Sequence, residues 1–326
     1  MPAPRAYVAV PDASLREVQQ AREYASPAEG FASALAWPIL LASLAIVALL
    51  MARTGLTVAI WTPSNAPYVI AAALVLALRA GWLGNWPHAA ALRDCAGYYA
   101  VLTCMALAGA VASYPIAALT QGSIDPMLAR SDAALGFDWV ALYEFVAGHP
   151  LLQHLGAAAY GSIYVIPAVL LGWFALTGQR CEAHRFLASF WLAAVITLAL
   201  FCLMPAMGPF AYLWHGPIRY MPVSELYQTD LIPALRAHIF HSIELNKLRG
   251  LVSAPSFHAA AGVLYLRTAW RAGAVRWPML WLAGAMLLAT PVEGTHYLTD
   301  MLIGAGVAVL AMAVIDAVLG RQVPAP

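Results

Sequence analysis

Long apolar stretches alternate with shorter polar ones along most of this chain. A helix needs roughly 20 apolar residues to cross a bilayer, with a range of about 17 to 25. By that measure the sequence predicts eight spans, at about 31–51, 66–83, 97–119, 151–176, 186–204, 256–270, 277–291 and 297–319. Pro167 interrupts the fourth, and the sixth and seventh are short for a full crossing. The pattern predicts an all-α fold, a polytopic membrane helical bundle.

Three polar regions divide this pattern. Residues 1–30 are mixed in charge, and the capping-box spacing of Ser14 and Glu17 predicts a short amphipathic helix to about Ser26 at the membrane surface. Residues 120–150 are rich in acids, and residues 205–254 form a long amphipathic loop. We predict a cytoplasmic segment (1–30), two additional transmembrane helices (31–96) and a six-helix catalytic core (97–319).

Composition agrees with a membrane protein and excludes other classes. Hydrophobic residues make up 62% and charged residues 10% of the 326 residues, against about 25% charge in a soluble domain. A net charge of +1 gives no basic surface for nucleic acid. The four cysteines are scattered, and His238 and His241 lack a third ligand, so we expect no metal and no cofactor.

Basic residues predict the orientation, because short cytoplasmic loops carry an excess of Lys and Arg. Most arginines lie in the second, fourth and sixth connections and in the two terminal segments, which all fall on one side of the membrane. Arg53 is the exception, since it lies on the other side. The supporting residues are Arg79, Arg93, Arg180, Arg185, Arg271, Arg276, Arg5, Arg16, Arg22 and Arg321. We therefore expect a multi-pass protein of the plasma (inner) membrane with cytoplasmic N- and C-termini. Residues 253–258 and 296–300 then both lie on the outer face, at the starts of the sixth and eighth spans.

His296 and Asp300 are four residues apart, which places them on one face of a helix. The carboxylate can accept the Nδ1 proton of the imidazole and leave Nε2 free to attack phosphorus, giving a phosphohistidine. The alternative is a histidine that only reaches the membrane interface beside an incidental carboxylate. Ionisable groups near spans are costly, which favours a functional role.

Ser253, Ser256 and His258 form the second cluster, with Pro255 suited to a first helical turn. A helix start presents free N–H groups and partial positive charge, which together can hold a phosphate. The serine hydroxyls add donors, and a histidine beside them can protonate the leaving oxygen as a general acid. The alternative is an ordinary Ser/Pro helix cap.

The two clusters resemble the motifs of a known family. Ser-x-Pro-Ser-x-His at 253–258 and His-Tyr-x-x-Asp at 296–300 look like the type 2 phosphatidic acid phosphatase superfamily, and most like its inositolphosphotransferase branch, which is related to inositol phosphorylceramide synthase. The resemblance covers about residues 97–319. It implies a six-helix core with an outward-facing site, His296 as nucleophile, Asp300 as its orienting partner and His258 as general acid.

The sequence departs from the phosphatase pattern at two places. Ala289 and Thr290 stand where a Ser-Arg pair is expected, and no Lys-x6-Arg-Pro string occurs. A charged hydrogen bond contributes roughly 1.5–3 kcal/mol, so a dianionic phosphate would lose stabilisation. Lys247 and Arg249 are candidate replacements as phosphate-binding residues; alternatively, they contact lipid head groups.

These residues predict a membrane enzyme that cleaves or transfers a lipid-linked phosphoester at the extracytoplasmic face. Its substrate would be a phospholipid or lipid-linked phosphate, and its acceptor water or an alcohol such as inositol. The alternative function is a non-catalytic transporter or scaffold with a histidine proton relay. A relay favours ionisable residues at mid-span on facing helices, whereas these cluster at span starts.

Overall fold

The computed structural model describes residues 27–320 except 81–83, 85 and 87. Its helices, in chain order, are α1 (Pro27–Thr54), α2 (Ala66–Arg79), α3 (Ala89–Leu119), α4 (Asp125–Ala134), α5 (Trp139–Ala147), α6 (Pro150–Gly161), α7 (Val165–Thr177), α8 (Arg180–Leu203), α9 (Pro209–Leu213), α10 (Tyr227–Arg236), α11 (Phe257–Trp270), α12 (Arg276–Glu293) and α13 (Leu298–Gly320). This confirms the predicted all-α bundle. The predicted amphipathic helix at 14–26 lies outside the described residues.

Four helices of the described chain are long and apolar enough to cross a membrane. They are Ala89–Leu119, Arg180–Leu203, Gly273–Glu293 and Leu298–Leu319, and a fifth span results if α6 and α7 are one crossing bent by 42°. Two other predicted spans correspond to α2 and α11, which have 14 residues each. Such a helix is about 21 Å long and falls short of the roughly 30 Å hydrocarbon core. The count of eight is therefore not supported.

The fourth predicted span breaks at a different place from the one expected. The helix stops at Gly161 and restarts at Val165, while Pro167 lies inside the first turn of α7. A first-turn N–H has no partner within its helix, so proline is tolerated there. The proline is therefore not the interruption. The break places Tyr160 at the end of α6, where its side chain reaches His258.

The polar regions 120–150 and 205–254 contain more regular secondary structure than the sequence predicted. Residues 120–150 contain α4 and α5, and residues 205–254 contain α9 and α10. Within the latter, Ser242–Ile243 pairs in parallel with Thr57–Val58, a two-stranded contact that joins the long loop to the chain after α1. These segments lie over one end of the bundle.

The core of the bundle is built around α11, which packs against both α12 and α13, while α8 packs against α13 and α3. Small residues at the start of α11, Ala259 to Gly262, are all buried. Small side chains let helix backbones approach closely. The closest approach is at Gly304 of α13, where an added Cβ would collide with the carbonyl oxygen of Ser256. The starts of α11 and α13 are thus held side by side.

Candidate active site

His296 lies at the turn that leads into α13, and its side chain is almost fully buried. Its Nδ1 is 3.1 Å from Oδ1 of Asp300, although the ring N–H points off the line to that oxygen. The other carboxylate oxygen of Asp300 accepts a hydrogen bond from the backbone N–H of Tyr297 at 2.9 Å. This is the geometry of a capping box, in which the third helical residue bonds back to the residue before the helix. Asp300 therefore fixes the helix start and faces the imidazole at once.

His258 lies in the first turn of α11 and faces His296. The centroids of the two rings are 5.9 Å apart. His258 also stacks on Tyr160 with centroids 4.5 Å apart, and the tyrosine hydroxyl is 3.3 Å from Nδ1. The structure thus brings together the two histidines and the carboxylate. Each imidazole has a polar partner at Nδ1, which leaves each Nε2 for other chemistry.

Tyr160 was not identified from the sequence. It is an aromatic residue within an apolar stretch, so neither composition nor spacing distinguishes it from a core residue. Its position depends on the break at 162–164, which ends α6 where the ring can reach His258. Only the packing of α6 against α12 brings it to the site.

Two buried aspartates of α4 hold the start of α13 in place. Asp132 accepts hydrogen bonds from the backbone N–H groups of Leu298 and Thr299, both at 2.8 Å, and from the Thr299 hydroxyl at 2.6 Å. The first N–H groups of a helix have no intrahelical partner, so Asp132 acts as a cap supplied by another helix. Asp125 accepts from the Tyr297 hydroxyl at 3.0 Å. The sequence showed these residues only as part of an acidic stretch.

Asp125 also fixes the loop after α8. Its carboxylate accepts from the backbone N–H of Met207 at 2.8 Å and of Gly208 at 2.9 Å. Gly208 has φ of +97°, and an added Cβ would lie 2.9 Å from the carbonyl oxygen of Thr295. Glycine is needed here both for the backbone conformation and for the close approach. The loop therefore packs directly against the residue before His296.

Thr295 has φ of +50°, which is rare for a β-branched residue. Its hydroxyl accepts a hydrogen bond from Ser224 Oγ at 3.2 Å, and the His296 N–H donates to the Pro291 carbonyl at 3.1 Å. Backbone strain of this kind persists only where the surroundings impose it and concentrates at functional sites. The strained turn directs the imidazole towards His258.

The predicted phosphate-binding serines have different surroundings. The Ser253 hydroxyl is buried, has no hydrogen-bond partner among the described residues, and lies 3.3 Å from an ideal Cβ at Gly208. Ser256 instead caps α11: its hydroxyl oxygen accepts from the Ala259 N–H at 3.2 Å, and its own N–H donates to the Asp300 carbonyl at 3.2 Å. Ser253 is thus the serine with an unused polar atom.

Lys247 and Arg249 make ion pairs on the loop that precedes the Ser253 segment. Lys247 Nζ is 3.0 Å from Glu244 and Arg249 Nη2 is 3.5 Å from Glu225, both well exposed. Arg249 also lies 5.7 Å from the ring centroid of Tyr227. Such exposed pairs contribute at most about 1 kcal/mol and exchange partners easily. Phosphate binding by these two residues stays a prediction.

Sequence reasoning also missed a buried glutamate, Glu293, next to the turn that carries His296. Both carboxylate oxygens of Glu293 lie within 2.9 Å of the Tyr220 hydroxyl, and the Val223 N–H donates to one of them at 3.2 Å. Burial and the neighbouring Glu293 carboxylate raise the pKa of Tyr220 well above its usual value. Tyr220 thus anchors the loop to the end of α12.

Comparison with known proteins supports the resemblance of the two motifs. A family model described as the PAP2 superfamily matches residues 126–314. Searches of curated proteins and of solved structures returned no match to this chain. The matched region begins within α4 and ends within α13, so it contains both histidines, Asp300 and Asp132.

Proposed function

Since the chain belongs to the PAP2 superfamily, we propose that it is an integral membrane enzyme that cleaves or transfers a lipid-linked phosphoester through His296. The observation that supports this best is the pair of imidazole rings 5.9 Å apart, each with its Nδ1 beside a polar side chain. A structural histidine needs no second histidine facing it. A phosphoryl-transfer site needs a nucleophile and an acid on one substrate.

The proposed reaction has two steps. In the first, Nε2 of His296 forms a bond to phosphorus while the bond to the leaving oxygen breaks, and His258 donates its proton to that oxygen. In the second, water or an alcohol attacks the phosphohistidine, His258 accepts its proton, and the P–N bond breaks. Asp300 stabilises the positive charge that develops on the His296 ring.

The charge around the site favours a substrate with a single negative charge. Asp125, Asp132, Asp300 and Glu293 are all buried near the start of α13, and Lys247 and Arg249 are paired with acids. Carboxylates held mainly by neutral hydrogen-bond donors keep their negative charge uncompensated and repel a dianionic phosphate monoester more strongly than a monoanionic phosphodiester. We therefore propose a diester substrate, for which the unpaired Ser253 hydroxyl is a neutral donor. We further propose that the acceptor is an alcohol such as inositol, so that the reaction is a transfer and not a hydrolysis.

Purified protein with labelled phospholipid tests the chemistry. We expect His296→Ala to abolish product release and His258→Ala to reduce the rate by about 10² to 10⁴. His154→Ala is the matched control, because that histidine is exposed and bonds only its own helix at the Pro150 carbonyl. All three proteins should elute as the same folded species. Activity retained in the His296 variant would remove it from the nucleophile role.

The acceptor is tested by adding inositol to the same reaction. Released free phosphate or free head group without inositol indicates hydrolysis, and a new phosphodiester that appears only with inositol indicates transfer. Ser253→Ala should raise KM with a smaller effect on kcat if the hydroxyl holds the bound phosphate. An unchanged KM would exclude Ser253 from substrate binding.

A transporter or scaffold with a histidine relay is the second candidate. The arrangement supports it less, because the ionisable groups lie at helix starts at one end of the bundle and not along a path through it. Vanadate, which adopts the pentacoordinate geometry of a phosphoryl-transfer transition state, separates the two. It should inhibit the enzyme and have no effect on a carrier.

A further inference from the structure

The opposite end of the bundle holds a polar pocket that the proposed reaction does not use. The pocket lies between α8, α11 and α13. His258 is in the first turn of α11, whereas Arg267 is in its last turn, about 14 Å further along the helix. We call it the arginine pocket; its lining residues include Glu182, Arg185, Ser189, Arg267, Thr268 and Arg271.

The arginine pocket carries one more positive than negative charge. Glu182 is 2.8 Å from Arg271 and 3.3 Å from Arg185. Asp316 of α13 is 2.6 Å from Arg267 and 3.5 Å from Arg185. Three guanidinium groups therefore share two carboxylates. The arginine side chains are 23% to 39% exposed, so they can contact a group at the surface of the bundle.

Two polar atoms of the pocket have no hydrogen-bond partner in the described part of the chain. The Ser189 hydroxyl is one of them, and its residue is only 2% exposed. The other is Nε of Arg185, whose 3.5 Å contact with Oδ1 of Asp316 is an ion pair without hydrogen-bond geometry, and that oxygen has no hydrogen-bond partner there either. A buried polar atom without a partner is unfavourable, which points to a ligand that supplies one. An anion with several oxygen acceptors fits both a hydroxyl and a guanidinium donor.

We propose that the arginine pocket binds a phosphate group, from an anionic phospholipid head group or from a soluble phosphate. Arginine offers a planar set of donors that matches phosphate oxygens in pairs. Basic pockets between transmembrane helices are a recurring location for phospholipid head groups. The positive-inside pattern of the sequence puts this end on the cytoplasmic side, where anionic lipids are concentrated. The proposal concerns binding and does not depend on the chemistry proposed for His296.

Thermal unfolding of the full-length protein in a neutral detergent measures this binding. The probes are dioctanoyl phosphatidylglycerol, dioctanoyl phosphatidylcholine as the control without net charge, and inorganic phosphate. We expect phosphatidylglycerol or inorganic phosphate, but not phosphatidylcholine, to raise Tm with increasing concentration. Which of the two raises it identifies the source of the phosphate. The proposal would be overturned if neither phosphatidylglycerol nor inorganic phosphate raised Tm, or if phosphatidylcholine raised it as much as they do.

Three variants locate the effect, and all leave the histidines intact. The measured quantity is the midpoint, the probe concentration that gives half of the maximal Tm shift. Arg267→Gln removes a pocket cation and should raise this midpoint about tenfold. Glu182→Gln removes a pocket anion and should lower the midpoint. Arg276→Gln is the matched control, because that arginine follows the same helix but stacks on Trp270 at 4.9 Å and does not line the pocket.

The opposite signs separate a ligand site from a purely structural ion network. If the ion network were purely structural, both Arg267→Gln and Glu182→Gln would lower the Tm of the protein, and the two variants would not shift the probe's midpoint in opposite directions. Equal midpoints for Arg267→Gln and Arg276→Gln would therefore overturn the proposal. If Arg267→Gln does not fold, Glu182→Gln decides, since only a phosphate site predicts tighter binding there.

Discussion

Replacing Gly304 by alanine should lower the activity about 100-fold without changing any side chain that we propose to contact the substrate. An added Cβ would collide with the Ser256 carbonyl oxygen and lie 3.1 Å from its carbon, both of them backbone atoms that cannot rotate away. The starts of α11 and α13 must then separate by roughly 1 Å. His258 is carried by one helix start and His296 by the other, so the spacing between their rings changes by a similar amount. A misplacement of about 1 Å can cost about 100-fold in rate.

The assay compares kcat and thermal stability of Gly304→Ala and Gly306→Ala. Gly306 lies on the same helix with open space around its ideal Cβ, and alanine there is a better helix former by about 1 kcal/mol. We expect Gly306→Ala to keep full activity with equal or higher Tm. Gly304→Ala should lose about 100-fold in kcat and, as an overpacked contact, about 1–3 kcal/mol in stability. Wild-type kcat in Gly304→Ala would refute the view that this contact sets the distance between the histidines.

Two further substitutions test the residues that support the histidines. Tyr160→Phe keeps the ring on His258 but removes one hydrogen bond, so kcat should fall about 2- to 10-fold with a changed pH profile. The control is Tyr143→Phe, which loses a hydroxyl bond to the Tyr220 carbonyl at 2.8 Å, outside the break that positions Tyr160, and should affect stability alone. Equal kcat losses in both variants would contradict the role of Tyr160. Asp132→Ala removes three hydrogen bonds and should lower the free energy of unfolding by about 2 kcal/mol or more. Its control, Asp138→Ala, removes one exposed cap bond and should lower it by about 1 kcal/mol. Equal losses in the two variants would show that the cap on α13 is dispensable.

The hydrophobic pattern predicted the helical bundle because burial in lipid leaves a strong signal in sequence. The pattern predicted the ends of helices less well. Helix α3 begins at Ala89 and not near 97, because it extends beyond its apolar residues into a polar turn where Asp94 pairs with Arg180 at 2.9 Å. The number of spans that the pattern predicted is not supported, because an apolar helix of 14 residues and a full crossing look alike at their centres.

The candidate site was predictable where its residues are close in sequence. The four-residue spacing of His296 and Asp300 indicates a shared helix face, and the structure has their atoms 3.1 Å apart. Tyr160 and Asp132 reach the site through contacts across 98 and 166 residues, and no local pattern encodes such contacts. The unused hydroxyl of Ser253 likewise depends on which neighbours tertiary packing supplies.

The cap that Asp132 places on α13 also sets an order of assembly. Its partners Leu298 and Thr299 follow it by 166 and 167 residues, and Asp125 and Tyr297 are 172 residues apart. At about 5–20 residues per second, a ribosome needs roughly 10–30 s to cover that interval. During this time α4 is already made, while Asp132 still lacks the donors of α13 and Asp125 still lacks the Tyr297 hydroxyl. The proposed active site therefore forms only after α13 has been synthesised, so we expect a nascent chain held at the ribosome before that point to be inactive.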